Sequence, residues 1–370
     1  MKISIDTYSA KGQKTGVGTY INNLINYLKK IDITANKFFL LERREENSRL
    51  RKLYKLYNYN VYFPYFFLRN KIKVFHSPDF VLPKIKMLCK YVVTIHDLDV
   101  FLHPEHYQYS SEHVCFSERM QTKIKHSVKI ADKIITVSGS VKHELMNILD
   151  IPESKIKAIY HGTNPNYAPC KNEVERLDIN VIKEKYNIRK KYILSTSTIG
   201  PRKNYETLIE AFMKLRAEDK RYADYLLVIV GGMTDYFQIL KAFCQKTGVK
   251  DEVLFIGYIS DEDLLKLYQG AELFVYPSVY EGFGIPVLEA MKCGIPVVTS
   301  DIPVFKEITG GAALLFTPRN SEELAYKIKL TLGNINLRRE YVDKGIKRAS
   351  KFSWEKMAQE TLELYKELDN

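Results

Sequence analysis

Short apolar runs closed by polar or turn residues alternate along the chain with longer stretches whose apolar positions recur at helical spacing. KISID (2–6) reads as a buried first strand, a loop carrying Gly12, Gly16 and Gly18 follows, and TYINNLINYLKK (19–30) has the pattern of an amphipathic helix. VFHSPDF (74–80), YVVTIHDL (91–98) and KIITVS (133–138) read as further strands ending in polar turns, separated by helical stretches such as SVKHELMNIL (140–149). This alternation predicts a parallel sheet with helices on both faces, since a parallel crossover needs a long connection and a helix supplies one. The periodicity breaks in HGTNPNYAPCKNEV (161–174), where Pro165 and Pro169 stand among polar residues, and a linker is placed there. It then restarts: KYILSTS (191–197), YLLVIVGG (225–232), EVLFIGY (252–258), ELFVYPS (272–278) and IPVVTS (295–300) read as strands with helices between them. SWEKMAQETLELYKEL (353–368) is an amphipathic helix with Ser353 as its N-cap. The expected domains are 1–165 and 166–352, both α/β, followed by the helical segment 353–370.

A chain of 370 residues exceeds what one hydrophobic core usually supports, so two domains of roughly 150 to 200 residues with a cleft between them are expected. Two parallel sheets in tandem imply a ligand site in that cleft, at the carboxyl ends of the strands. An apolar content of 45% is that of an ordinary globular protein and excludes disordered and fibrous classes. No window of about 18 consecutive apolar residues occurs. The start, MKISIDTYSA, lacks an apolar run of the signal-peptide kind, so a cytosolic location is expected. Cys89, Cys115, Cys170, Cys244 and Cys293 are odd in number and never form a C-x-x-C pair, which argues against a disulfide framework or structural zinc.

The net charge of +12 is concentrated: residues 41–90 hold twelve Lys or Arg against four Asp or Glu, which is +8. Within this stretch YKLYNYNVYFPYFFLRN (54–70) interleaves rings with Lys55 and Arg69, a mix suited to an anionic membrane surface. Core packing explains the rings equally well. No nucleic-acid motif accompanies the patch, so no nucleic-acid partner is assigned, and residues 43–90 are kept as a candidate membrane-contacting stretch.

EGFGIPVLEA (281–290) sets two glutamates eight positions apart around Gly282, Gly284 and Pro286. Pro286 fits a first helical position, and Gly294 fits the residue just past the helix end. Glu281 therefore belongs to a loop and Glu289 to the helix. They flank a helix N-terminus whose N–H groups and dipole favour an anion, and the glycines let the backbone approach a ligand closely. Such a stretch suits a ligand with phosphate in the middle and hydroxyls at both ends, which describes a nucleotide-sugar.

The run YPSVYEGFGIPVLEAMKCGIPVVTSDIPVFKEITGGAALLF (276–316) resembles the E-x7-E region of retaining GT-B glycosyltransferases, the large family four also called group 1. TGVGTYINNL (15–24), TIHDLDVFLHPE (94–105), IITVSGSVKHEL (134–145), IYHGTNP (159–165) and STSTIGPRKNYETLIEAF (195–212) are similar to its other landmarks, so the resemblance covers nearly the whole chain. It implies two Rossmann-like domains facing across a cleft, the first holding the acceptor and the second the nucleotide-sugar. It also implies that the terminal helix packs back on the first domain. The activity implied is transfer of a hexose from a nucleoside diphosphate sugar, with retention and without a required metal. The acceptor would be a saccharide or a lipid-linked chain; the basic aromatic stretch adds the expectation of a peripheral place on the inner face of a membrane. The P-R-K-N sequence at 201–204 resembles a mannosyltransferase branch and makes GDP-mannose the first donor to consider.

By the same resemblance Arg202 and Lys203 neutralise the leaving diphosphate, and Lys203→Ala is expected to abolish transfer while leaving the fold intact. A G-R pair found a few residues earlier in many members is replaced here by Thr196 and Ser197, so charge compensation rests on Arg202 and Lys203. Glu289 accepts from the ribose hydroxyls and Glu281 from those of the sugar, while amides of Gly282, Phe283, Gly284 and Ile285 meet sugar and phosphate oxygens. Gly16 and Gly18 match a phosphate-touching loop, and Gly257, Tyr258 and Ile259 are candidates for cradling the base. His96 matches the histidine that binds the transferred sugar or orients the acceptor, with Asp97 and Ser138 on the acceptor side. D-L-D at 97–99 mimics the metal motif of another glycosyltransferase fold, and His103, Glu105 and His106 have the composition of ligands only, so no metal site is assigned. Two alternatives remain from the sequence: a nucleotide-sugar epimerase of GT-B shape and a non-catalytic nucleotide-sugar-binding protein.

Overall fold

Twelve parallel strands in two sheets organise the described part of the chain. The computed structural model describes residues 1–10, 16–32, 36–41, 62–84, 86–107 and 111–369, without the side chains of Tyr8 and of 111–115. Gly12 and residues 42–61 of the basic stretch lie outside the described residues. Two compact units are present: Met1–Gly162 with Ser353–Asn370, and Thr163–Phe352.

Unit 1 holds β1 (Lys2–Asp6), β2 (Lys37–Leu41), β3 (Val74–Ser77), β4 (Lys90–Ile95), β5 (Lys133–Thr136) and β6 (Ile156–Ala158), in the order β2-β1-β3-β4-β5-β6. The helix after β1 spans Gly16–Ile31, so Gly16 and Gly18 form its first turn rather than the expected loop. The reason is the spacing: Gly18 is buried with Ile21, Ile25 and Leu28, extending the apolar stripe one turn toward the N-terminus. The helix Trp354–Asp369 belongs to this unit and is N-capped by Ser353, whose hydroxyl accepts from the Lys356 amide at 3.1 Å. Its Tyr365 is hydrogen-bonded to His76 Nδ1 at 2.5 Å, and His76 Nε2 is bonded to Thr94 Oγ1 at 2.8 Å, all within the core. Burial, helped by the neighbouring His96, pushes the His76 imidazole down to about 3, so it stays neutral.

Unit 2 holds β7 (Lys191–Thr196), β8 (Tyr225–Val230), β9 (Val253–Gly257), β10 (Leu273–Tyr276), β11 (Val297–Ser300) and β12 (Leu314–Phe316), in the order β12-β11-β10-β7-β8-β9. Every residue of β8 is buried, the signature of a parallel strand covered on both faces. Sequence order steps outward from β7 through β8 and β9 and then resumes at β10 on the other side. The point where it reverses lies between β7 and β10, and in open α/β sheets that is where a crevice opens beyond the carboxyl ends. Among the described residues no helix is long and apolar enough to cross a membrane.

Candidate active site

The carboxyl ends of β7 and β10 in unit 2 carry the residues singled out for donor binding. After β7 the chain makes a single 3-10 turn, Pro201–Lys203, and Asn204 takes a left-handed conformation (φ 54°) before the helix Tyr205–Glu218. Asn204 Nδ2 donates to the Pro277 carbonyl at 3.0 Å and its Oδ1 accepts from Thr207 at 2.7 Å, while the Val279 amide donates to the Arg202 carbonyl at 2.9 Å. These bonds fasten the loop after β7 to the loop after β10.

Across that joint Lys203 and Glu281 form an ion pair, with both side chains only 9% exposed. Tyr276 Oη donates to Glu281 Oε1 at 3.0 Å and accepts from Lys203 Nζ at 3.2 Å. Burial works to raise the Glu281 pKa, but the charges of Lys203 and Arg202 and the Lys203 hydrogen bond outweigh it and hold the carboxyl below its usual range. The pairing also revises one expectation: removing Lys203 alone takes from a buried carboxylate its paired ammonium and leaves only Arg202 to offset its burial, so the fold is expected to lose stability.

Gly284 caps the helix Ile285–Lys292 at φ 102°, and a Cβ there would lie 2.7 Å from the Phe305 ring, so the position requires glycine. Pro286 occupies the second helical position rather than the first, where its missing N–H is equally harmless. Gly294, at φ 75°, closes the helix as expected. Glu281, Gly282 and Phe283 precede this N-terminus and are buried. Glu289, on the helix and half-buried, accepts from Tyr268 Oη at 3.2 Å, and Tyr268 in turn is hydrogen-bonded to Thr196 at the end of β7 (2.9 Å). Burial is the main cause of a Glu289 pKa pushed up to about 7; the Tyr268 bond and Lys292 lower it, and Asp261 adds to the rise. Beyond β9, Gly257 is left-handed (φ 80°), Tyr258 is 60% exposed and Ile259 is buried.

In unit 1, His96 follows β4. It is buried, its Nε2 donates to the Pro78 carbonyl at 2.9 Å, and its ring meets Tyr20 edge-on at 5.0 Å. Burial lowers its pKa against the opposing pull of the Pro78 bond, Asp79 and Asp97, so the ring is held neutral in one orientation. Asp97 accepts from the Asp99 amide at 3.3 Å. Ser138 is fully buried and accepts from the Val141 amide at 3.1 Å as N-cap of the helix Gly139–Leu149. Gly16 and Gly18 sit at the helix start after β1.

The structure therefore brings Arg202, Lys203, Glu281, Gly282, Phe283, Gly284, Ile285 and Glu289 to one pair of strand ends, with Gly257, Tyr258 and Ile259 at the end of β9. Sequence reasoning missed Tyr276, Tyr268 and Thr196, which tie both glutamates in place. Nothing in the sequence separates a tyrosine in or beside a core strand from one that holds a carboxylate. Cys89, Cys170, Cys244 and Cys293 are free thiols, and no disulfide links the described residues.

Residues 178–348 match the family described as Glycosyl transferases group 1, and residues 15–167 match Glycosyltransferase Family 4. The O-antigen chain mannosyltransferase B of Escherichia coli is 30% identical over 344 residues, which cover 93% of this chain and 82% of that protein. O-antigen chain mannosyltransferase RfbU of Salmonella typhimurium is 34% identical over 248 residues, 66% of this chain and 62% of that one. Anabaena HepE, solved in complex with UDP and glucose, is similar in fold, with a TM-score of 0.75 at 18% identity over 98% of this chain and 99% of that one. With two parallel six-stranded α/β units of GT-B type and matches along both, the chain belongs to the group 1 glycosyltransferases of family 4.

Proposed function

We propose that this glycosyltransferase moves a hexose, mannose first, from a nucleoside diphosphate sugar, GDP-mannose first, to a saccharide or lipid-linked acceptor during surface polysaccharide or glycolipid synthesis, with retention of anomeric configuration. The observation that carries the reading is the meeting, at the reversal of strand order in unit 2, of two cations and a glycine-capped helix N-terminus flanked by two carboxylates. Two O-antigen chain mannosyltransferases among its relatives support the choice of sugar and product. Arg202, Lys203 and the amides at 283–285 stabilise the diphosphate as negative charge develops on it, a task these groups meet by position alone. Glu281, kept ionised by Lys203, accepts from hydroxyls of the sugar. Glu289 accepts from the ribose. The acceptor hydroxyl attacks from the face the diphosphate leaves, and a donor phosphate oxygen takes its proton. His96, neutral and fixed, binds the sugar or orients the acceptor rather than serving as base.

Thermal unfolding with GDP, UDP, ADP and dTDP, chelator present, tests the donor site without knowledge of the acceptor. One nucleotide at a hundred times its Kd stabilises by about 2.7 kcal/mol. Glu289→Gln loses most of that shift. Because Glu289 holds its proton up to about 7, nucleotide affinity in the parent rises with pH through that value and then levels, while the variant is flat. The ligand-free protein responds oppositely: an unfolded glutamate loses its proton near 4.5 and the native one near 7, so stability falls between those values as pH rises, and Glu289→Gln removes the slope. No shift with any of the four nucleotides overturns the donor-site reading.

A specific observation favours an anionic membrane beside unit 1. A lysine stands at or just before the amino end of each strand: register places Lys37 beside Lys2, the Lys73 amide donates to the Lys2 carbonyl at 2.9 Å and the Lys90 amide to the Lys73 carbonyl at 2.8 Å, while Lys133 opens β5 and Lys155 immediately precedes β6. Adjacent strands are about 4.8 Å apart, so Lys37, Lys2, Lys73 and Lys90 form a basic edge across β2, β1, β3 and β4. Asp132 and Asp369 pair with Lys86 and Lys73, at 2.9 and 3.9 Å. Leu88 beside the edge is 90% exposed. Binding of the full chain to anionic vesicles should weaken by about 1 kcal/mol for each lysine neutralised, tested with Lys37→Gln and Lys90→Gln, and should fall with salt. Vesicle binding indifferent to both lipid charge and salt overturns the membrane reading.

A further inference from the structure

We propose that His103, Glu105 and His106 form a binding site for one divalent cation of the zinc class, in unit 1 and separate from the donor-binding residues. The three side chains stand on and just before the 3-10 turn Pro104–Tyr107. A 3-10 turn has three residues per turn, so positions three apart lie on one side of it. His103 and His106 accordingly stack with ring centres 4.9 Å apart, and one ligand atom from each of the three residues falls within 4.8 Å of the others. The turn is closed by backbone bonds from the His103 amide to the Asp99 carbonyl at 2.8 Å and from the His106 amide to the His103 carbonyl at 3.0 Å.

The second observation lies behind the cluster. Asp99 is buried, its side chain 1% exposed; Oδ1 accepts from His106 Nδ1 at 2.9 Å and Oδ2 accepts from Tyr107 Oη at 2.8 Å. With the proton of His106 placed on Nδ1 toward Asp99, its Nε2 keeps the lone pair that is available to an ion. A carboxylate behind the far nitrogen is the arrangement that orients metal-bound imidazoles and raises their basicity. Two imidazoles and one carboxylate suit zinc, cobalt or nickel rather than magnesium or calcium, which take oxygen donors. Closing the ligands onto bonds of about 2.0–2.2 Å calls for rotation of the two more exposed side chains, and a solvent molecule completes four-coordination. Asp99 lies three residues beyond His96, so an ion here stiffens the segment that leads out of β4. The sequence shows these residues only as a composition; the turn and Asp99 make them a site.

The site is tested on tag-free full-length protein, stripped by chelator and titrated with zinc by calorimetry and with cobalt by visible absorption. One equivalent of zinc should bind, and cobalt should give the intense bands of a four-coordinate complex. Glu105→Gln, an exposed change that spares the fold, should weaken binding at least tenfold, and His103→Ala with His106→Ala should abolish it. Asp99→Asn should retain binding but weaken it 10- to 100-fold. Because these readouts report binding alone, they succeed or fail independently of the transferase reading. Absence of stoichiometric zinc binding, or binding that survives Glu105→Gln and the double histidine variant unchanged, overturns the proposal.

Discussion

Lys203→Met slows sugar transfer by roughly 10²–10³ and at the same time costs the fold about 3–5 kcal/mol, the usual penalty for removing one partner of a buried ion pair. The stability loss comes from Glu281, which loses its directly paired cation in a site 9% exposed and is left with Arg202 alone to offset its burial. Tyr276 Oη still donates to the carboxylate, at 3.0 Å, but a neutral hydroxyl offsets only part of the burial cost. The double variant Lys203→Met with Glu281→Gln removes both charges and should recover most of the stability, because uncharged side chains of similar volume often replace a buried pair at little cost. Transfer does not recover: losing one stabilising group at a developing negative charge costs roughly 10²–10³ in rate. Denaturant unfolding and steady-state kinetics on the two singles and the double complete the cycle and isolate the pair's coupling. A single variant as stable as the parent would mean that the pair is solvated. Unchanged turnover would remove Lys203 from the diphosphate.

Gly231→Ala should be as damaging through a purely steric route. Gly231 follows β8 at φ 150°, and an added Cβ would stand 1.9 Å from the Ser197 carbonyl oxygen and 2.4 Å from its carbon. Neither neighbour can yield. The Ser197 amide is bonded to the Val230 carbonyl, the Ile199 amide to the Gly232 carbonyl, and the Gly231 amide to the Gly257 carbonyl, each at 2.9 Å. The methyl group must therefore part the loops beyond β7 and β8, and the first of these loops leads to Arg202 and Lys203. A loss of about 4 kcal/mol or more is expected, which for a unit of this size lowers Tm by roughly 8 °C or more. Gly232→Ala is the control: its nearest atoms are the Thr198 side chain at 3.7 Å, ordinary contact, and Tm should change little. Equal melting of both variants would show that the loop is looser than these hydrogen bonds imply.

The strands legible in the sequence are those with an unbroken apolar run, such as YLLVIV, because both faces of a parallel sheet are covered. The strands that escaped, Lys37–Leu41, Ile156–Ala158 and Leu314–Phe316, all lie at sheet edges and are only partly buried; their short runs, such as FFLL and LLF, do not by themselves separate a strand from a buried turn of helix. In the candidate site, the glycines and prolines around Glu281 and Glu289 were legible because backbone conformation and a helix start restrict residue type. The partnership of Lys203 with Glu281 was not, since it joins residues 78 positions apart and depends on β7 and β10 being neighbours. Ser138 shows the converse: a strand-end serine reads equally as a ligand contact or as a helix cap, and the capping bond becomes visible only in the folded chain.

The helix Trp354–Asp369 completes unit 1 although it is synthesised after the whole of unit 2. Gly162 is its landing point: a Cβ there would lie 2.1 Å from the Trp354 amide, and the His76–Tyr365 bond closes a loop of 289 positions. The usual vectorial order, in which the amino-terminal unit matures first on the ribosome, is thus reversed at the last step. Unit 2, continuous in sequence, can finish folding while unit 1 still waits with its helix-binding surface open. A nascent chain stalled before Ser353 would present that apolar surface to chaperones, so unit 1 can mature only once the helix Trp354–Asp369 has been made.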